Sequence, residues 1–319
     1  MAQTSGTYTY QISVNDIVTE AMQNIGKLGE NEGPTAQEFQ DCIRKLNMII
    51  KQFQGRADFS KGIKQWTRKQ GHLFLSSTTG QYNLGPTSGN WTNDYITTKL
   101  LFNAAAGSTS LTLVSTTGVL ANSNIGIQLG NGNLFWTTVV GTPIGNTVVI
   151  ATGLPLLASS TAQVFNYSIR AQQPIVIEWA LLRDNTNSDI PITLLNFYDY
   201  AQLPSKTDVT NSSDPMQIYV ENQIGSSTLY TDVGSASDVT KHIVIGYMEA
   251  IQDLSGNPAE TIEYPQEYYR AICWLLTREI CPMFSADWTQ LMNTLCTEAL
   301  QIATAKDEDT STLSFQVYE

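Results

Sequence analysis

From Leu100 to Ile169 the chain runs seventy residues without a single Asp, Glu, Lys or Arg, while all of its charge lies on the two sides of that block. Within it, short β-branched and apolar runs at 110–114, 125–129, 135–140, 147–150 and 163–167 are separated by Gly-rich turns such as Gly130-Asn131-Gly132 and Gly145-Asn146. Short strands at regular spacing with such turns predict a small all-β module. Its eight Gly and ten Thr fit that reading, because Thr suits a pleated half-exposed strand and Gly supplies the positive φ of tight hairpins. The block reads as an inserted domain.

The flanks decide the rest. A length of 319 with 42% hydrophobic residues is enough for about two domains with a sizeable core. No apolar run approaches the roughly 20 residues of a membrane helix. The first residues lack the basic start and apolar stretch of a signal peptide, so synthesis is expected to end in a cytoplasm. Cys42, Cys273, Cys281 and Cys296 have no CxxC spacing and three lie in apolar helical patterns, which predicts buried, reduced thiols. Charge is uneven: residues 1–99 hold ten Lys/Arg and eight Asp/Glu (+2), and residues 170–319 hold seven and twenty-one (−14), which sum to the net −12.

Helices are predicted at both ends of the chain. Ser13 with Asp16 marks one start, and Ile17, Val18, Ala21, Met22 and Ile25 follow helical spacing up to Gly26. Pro34, Thr35 and Glu38 open a second helix, whose face is Phe39, Cys42, Ile43, Leu46, Ile49, Ile50 and Phe53. The short link between them favours an antiparallel hairpin. A second helical pair is expected after Pro265, with Ile272 and Leu276 on its first stripe. Its second helix is capped by Ser285 and lines one side with Trp288, Leu291, Met292, Leu295, Cys296, Ala299, Ile302 and Ala303, of which Leu291, Leu295 and Ile302 are expected in the core. These helices are expected to share one core. Runs at 72–75 and 81–84 suggest paired strands, and 191–195, 216–220, 227–230 and 242–248 suggest four more, the middle two joined around Gly225.

Candidate chemistry is sparse. The chain has two histidines, His72 and His242, each in a strand pattern, with no HExxH and no apparent Ser-His-Asp arrangement. The glycines of 126–132 do not follow a phosphate-binding spacing and have no helix after them. No enzyme activity, metal or cofactor is expected. The basic run from Arg44 to Gln70, which includes Lys61, Lys64, Arg68 and Lys69 around Trp66, is opposed only by Asp58. Two roles suit it: contact with DNA phosphates, or pairing with acidic residues of an adjacent subunit.

Three stretches resemble one family. In 17–55 a helix ending Ile25-Gly26, a cap Gly33-Pro34-Thr35-Ala36 with Glu38, and the run Leu46-Asn47-Met48-Ile49 follow in order. In 170–206 come a Pro-led apolar segment, Leu182-Arg183, Asp189-Ile190-Pro191 and Tyr200 before Lys206, and in 262–284 come Pro265 and Glu267-Tyr268. Together these are similar to the head-to-tail adaptors (tail accessory factors, or connectors) of short-tailed bacteriophages. They cover about a third of the chain.

The resemblance implies a ring of twelve copies at the head-tail junction of the virion. That ring docks on the portal protein, extends the DNA channel with transient non-specific contact to the genome, and receives the tail nozzle or hub. Tail fibres would be met through the inserted domain. The expected fold class is α+β: a helical bundle formed from the N- and C-terminal helical hairpins, with β-hairpins and an inserted all-β domain, sandwich-like or barrel-like. Residues 1–96 and 170–306 would form the adaptor core, 97–169 the insert and 307–319 a C-terminal extension. In that extension Leu313, Phe315, Val317 and Tyr318 alternate like a strand that adds to a partner's sheet, and the resemblance points to the portal as acceptor. The alternative is a tail-fibre or receptor-binding protein whose uncharged insert faces carbohydrate.

Overall fold

The computed structural model describes residues 10–55, 65–87 and 89–305. They contain five α-helices: α1 (Val14–Asn24), α2 (Ala36–Gly55), α3 (Phe197–Gln202), α4 (Gln266–Ile280) and α5 (Gln290–Ala305). The strands up to the end of the uncharged block are β1 (Arg68–Phe74), β2 (Gln81–Leu84), β3 (Trp91–Thr92), β4 (Ile96–Lys99), β5 (Ser110–Thr112), β6 (Asn124–Gln128), β7 (Leu134–Thr138), β8 (Thr147–Val149) and β9 (Gln163–Tyr167). After it come β10 (Pro174–Arg183), β11 (Asp189–Leu194), β12 (Ser212–Ser213), β13 (Gln217–Gln223), β14 (Ser226–Thr231), β15 (Ser235–Ala236) and β16 (His242–Glu249). Two compact units result, residues 1–67 with 251–319 and residues 68–250.

The expected fold class is overturned by the sheet content. The principal element is an eight-stranded sheet of order β2-β14-β13-β11-β10-β16-β1-β3. Its edge strands β2 and β3 are joined by residues 85–90 alone, and a Cβ at Gly89 would stand 2.2 Å from the Asn83 carbonyl oxygen. The sheet therefore curls until its edges nearly meet, as in a barrel. Segments read as separate hairpins are strands of this one sheet, which takes members from both sides of the uncharged block. β1 and β2, expected to pair with each other, lie apart: β1 pairs with β16 and β3, and β2 with β14. The inward residues include Leu73, Leu84, Trp91, Leu182, Ile218 and Ile245. Glycine makes room for one of them, since a Cβ at Gly71 would fall 1.9 Å from the Trp91 ring.

Within the same unit the uncharged block, joined by β4 just before it, forms a four-stranded sheet, β4-β9-β6-β7, and a two-stranded one, β5-β8. A hydrophobic cluster built on Leu111, Ile125, Ile127, Val148 and Val164 fills them. The Trp136 ring covers Gly126 on the neighbouring strand.

In the other unit, α4 packs against α1, α2 and α5. Leu46, Ile50, Ile272, Leu276 and Ile280 are buried there, together with Ile17 and Met22. Ser13 Oγ accepts from Asp16 N at 3.1 Å. Thr35 N donates to Glu38 Oε2 at 3.0 Å while Glu38 N donates to Thr35 Oγ1 at 3.4 Å, a reciprocal cap. The Asn47 side chain donates to Leu254 O (3.1 Å) and accepts from Leu254 N (2.9 Å), so α2 holds the segment after β16 by its backbone.

The expected side of α5 is buried only in part: Cys296, Ala299 and Ala303 are buried, whereas Leu291 and Ile302 are 69% and 61% exposed. The small residues of this helix face its contact with α4, and larger apolar side chains lie outside it. Its N-cap is Thr289, which accepts from Met292 N at 3.3 Å, whereas Ser285 has φ +53° in the turn before it.

Candidate functional site

The two histidines, 170 positions apart in sequence, meet. β1 and β16 are antiparallel neighbours with His72 opposite Val244 and Phe74 opposite His242, so all three rings project from the outward face of the curled sheet. The imidazole centroids are 5.3 Å apart. Next in the same row, across β10 and β11, come Arg183 and Asp189, joined by two hydrogen bonds of 2.7 Å each.

The four-stranded sheet covers this face. Phe165 stands 4.8 Å and Trp136 5.1 Å from the Phe74 ring, and Tyr95 lies 4.7 Å from His72 and 5.1 Å from His242. Tyr95 Oη and His242 Nε2 are 3.2 Å apart and hydrogen-bonded. His72 is 8% and His242 3% exposed, and neither Nδ1 has a hydrogen-bond partner. Burial, then the Arg183 charge, lowers the His72 pKa to about 4. Burial, then His72 and Arg183, lowers that of His242 to about 3. Both rings are neutral near pH 7 and act there as polar packing groups.

The chain segments that enter and leave the small module are tied together beside this seam. Thr92 Oγ1 donates to Ile169 O at 2.8 Å, Tyr167 Oη to Asn90 Oδ1 at 3.1 Å, and Arg170 Nε to Gly89 O at 2.9 Å. A cleft of about 340 Å³ opens between them, lined by Asp94, Tyr95, Asn166 and Ser168 among others. Among the described residues no group of three or more His, Cys, Asp or Glu is placed to hold a metal ion. All four cysteines are buried and unpaired with one another, and burial raises the Cys42 thiol to about 11, which makes it a poor nucleophile.

Of the basic residues singled out, Lys61 and Lys64 lie outside the described residues. Arg68 Nε pairs with Glu178 at 3.0 Å, and Lys69 Nζ lies 3.9 Å from Glu249. Both are thus engaged within their own chain. Trp66 packs on Tyr264 and Tyr268, with ring centroids at 5.5 and 4.8 Å. Leu313, Phe315, Val317 and Tyr318 also lie outside the described residues. A feature the sequence reading passed over is an aromatic group in which Tyr200, Tyr219 and Tyr230 stack at 5.3 and 6.0 Å. Beside it Phe197 and Tyr198 on α3 are exposed. The meeting of His72 and His242 was also missed, although each lies in a strand pattern and the chain has no other histidine.

No helix among the described residues is long and apolar enough to cross a membrane. No protein-family profile matches the chain, and no curated protein is similar to it in sequence. Among solved structures, VP17, a capsid protein of bacteriophage P23-77, aligns over 61% of this chain and 76% of its own length, at 8% identity and a TM-score of 0.12. At that score the likeness carries no argument about fold or role.

Proposed function

We propose that the chain is a structural virion protein, a subunit of a head-to-tail adaptor ring that docks on the portal, extends the DNA channel and connects the capsid to the tail nozzle or fibres. The observation that carries this reading is the ordered resemblance of 17–55, 170–206 and 262–284 to that family. The resembling residues have structural work. Thr35 and Glu38 cap α2, Asn47 grips Leu254, and 170–206 supplies the β10–β11 pair at the middle of the large sheet. Among the stretches outside the resemblance, residues 100–164 build a hydrophobic cluster, and Phe165 and Tyr167 pack with Phe74.

The net charge of −12 suits a conduit. Repeated around a ring, it repels phosphates and lets DNA slide rather than adhere. Leu313, Phe315, Val317 and Tyr318 are assigned to the portal joint, as a strand added to a portal sheet. With Arg68 and Lys69 already paired, contact with DNA or with a neighbouring subunit falls to Lys61 and Lys64.

Mixing the purified protein with portal rings, and separately with host surface polysaccharide, tests the reading. Stoichiometric co-sedimentation with portal and none with polysaccharide is expected. Retention on polysaccharide without portal binding would favour a receptor-binding tail protein.

A further inference from the structure

The uncharged block brings no carboxylate to the histidine seam to pair with a proton on either ring. The groups facing the two imidazoles are Phe74 from β1, Arg183 from β10, Asp189 from β11, Tyr95 from the 92–96 link and Phe165 from β9. The covering module supplies no carboxylate, because residues 100–169 contain none. The one carboxylate in the row, Asp189, is held by both of its oxygens to Arg183, and the exposed Asp94 favours a proton on His72 by less than burial and Arg183 oppose it. A proton on either ring therefore creates an unpaired buried cation beside the second imidazole and the Arg183 guanidinium, a costly state that is relieved when the ring reaches water.

We propose that His72 and His242 form an acid-sensitive latch that holds the four-stranded sheet against the eight-stranded sheet while both rings are neutral and releases it when they take up protons. The sign follows from linkage. Both pKa values are lower in the closed state, to about 4 and about 3, than the ordinary value of about 6.5 they regain on opening. The open state thus binds more protons over that window, and the closed state loses stability as pH falls below 6.5. Between pH 6 and 5, two imidazoles with these values raise the opening constant by about fiftyfold, and one imidazole by about eightfold.

The test is amide hydrogen exchange on the full chain at pH 6 and pH 5, expressed as protection factors, for the parent, His72→Gln, His242→Gln and the double variant. A roughly fiftyfold loss of protection confined to β6, β7 and β9 is expected in the parent, about eightfold in each single variant and none in the double, while β10 and β16 stay protected. Equal losses in all four proteins, or loss of β10 and β16 together with the module, would overturn the latch. Should the variants fail to fold, imidazole C–H resonances of the parent decide. Titration of either ring near 6.5 with the module still protected overturns the proposal, and protonation coincident with release supports it.

Discussion

Trp91 lies across Gly71: a Cβ at position 71 would fall 1.9 Å from the indole Cη2. The indole Nε1 donates to Gln172 O at 3.0 Å, and β1 is paired on both sides, to β3 and β16. Neither the ring nor the strand can step aside cheaply. Trp179 stands over Gly246 in the same way on the other face of the sheet.

Gly71→Ala is therefore expected to destabilise the chain by about 1 to 3 kcal/mol through overpacking, measured by urea unfolding. Its φ is not in the left-handed region, so the effect is one of space. An alanine variant as stable as the parent would mean that Trp91 does not fill this site.

In the helical unit, two leucines should behave oppositely. Leu46 is fully buried, and Leu46→Ala is expected to cost about 2 to 5 kcal/mol. Leu291 is on the exposed side of α5, and Leu291→Ser should stay within about 0.5 kcal/mol. Thermal melts of the two variants check both the core and the exposure of Leu291 on α5.

The grip of α2 on the backbone of Leu254 rests on one amide. Asn47→Ala removes a donor and an acceptor at once and should cost about 1 to 3 kcal/mol. Faster amide exchange at Leu254 in this variant is the specific signature, because a general loss of packing would not single out that residue.

Arg68 and Glu178 pair inside the chain at 3.0 Å. A double-mutant cycle of Arg68→Ala and Glu178→Ala should return a coupling of about 0.2 to 1 kcal/mol, as expected of a partly exposed pair. Charge reversal at Lys64 is the complementary probe. Intact rings with altered genome ejection assign it to DNA, and failure of ring assembly at unchanged monomer stability assigns it to a neighbouring subunit.

How much of this was legible in the sequence depended on distance along the chain. The cap at Thr35 and Glu38, the stop at Gly26 and the hairpin at Gly225 are local signals, and each stands in the structure. The strand β9 at Gln163–Tyr167 was also readable from its own residues. The sheet order was not. β1 finds β16 across some 170 positions, and nothing in either strand names its partner. The ten-residue β10, near the middle of the sheet, reads in sequence only as a Pro-led apolar segment, since its apolar residues on both sides of Glu178 fit neither strand nor helix periodicity decisively. Without those pairings the strands looked like hairpins hung on a helical bundle, and the histidines looked isolated. On α5 periodicity marked one broad apolar side, and packing buried its small residues Cys296, Ala299 and Ala303 while leaving Leu291 and Ile302 exposed.

The central claim is a place in a particle. Electron microscopy of assembled virions, with this protein labelled, should show twelve copies in a ring directly beneath the portal. Deleting residues 311–319 should leave a folded protein that no longer joins portal rings. Label found only at the distal end of the tail or on fibres, with no density of this fold against the portal, would contradict the account.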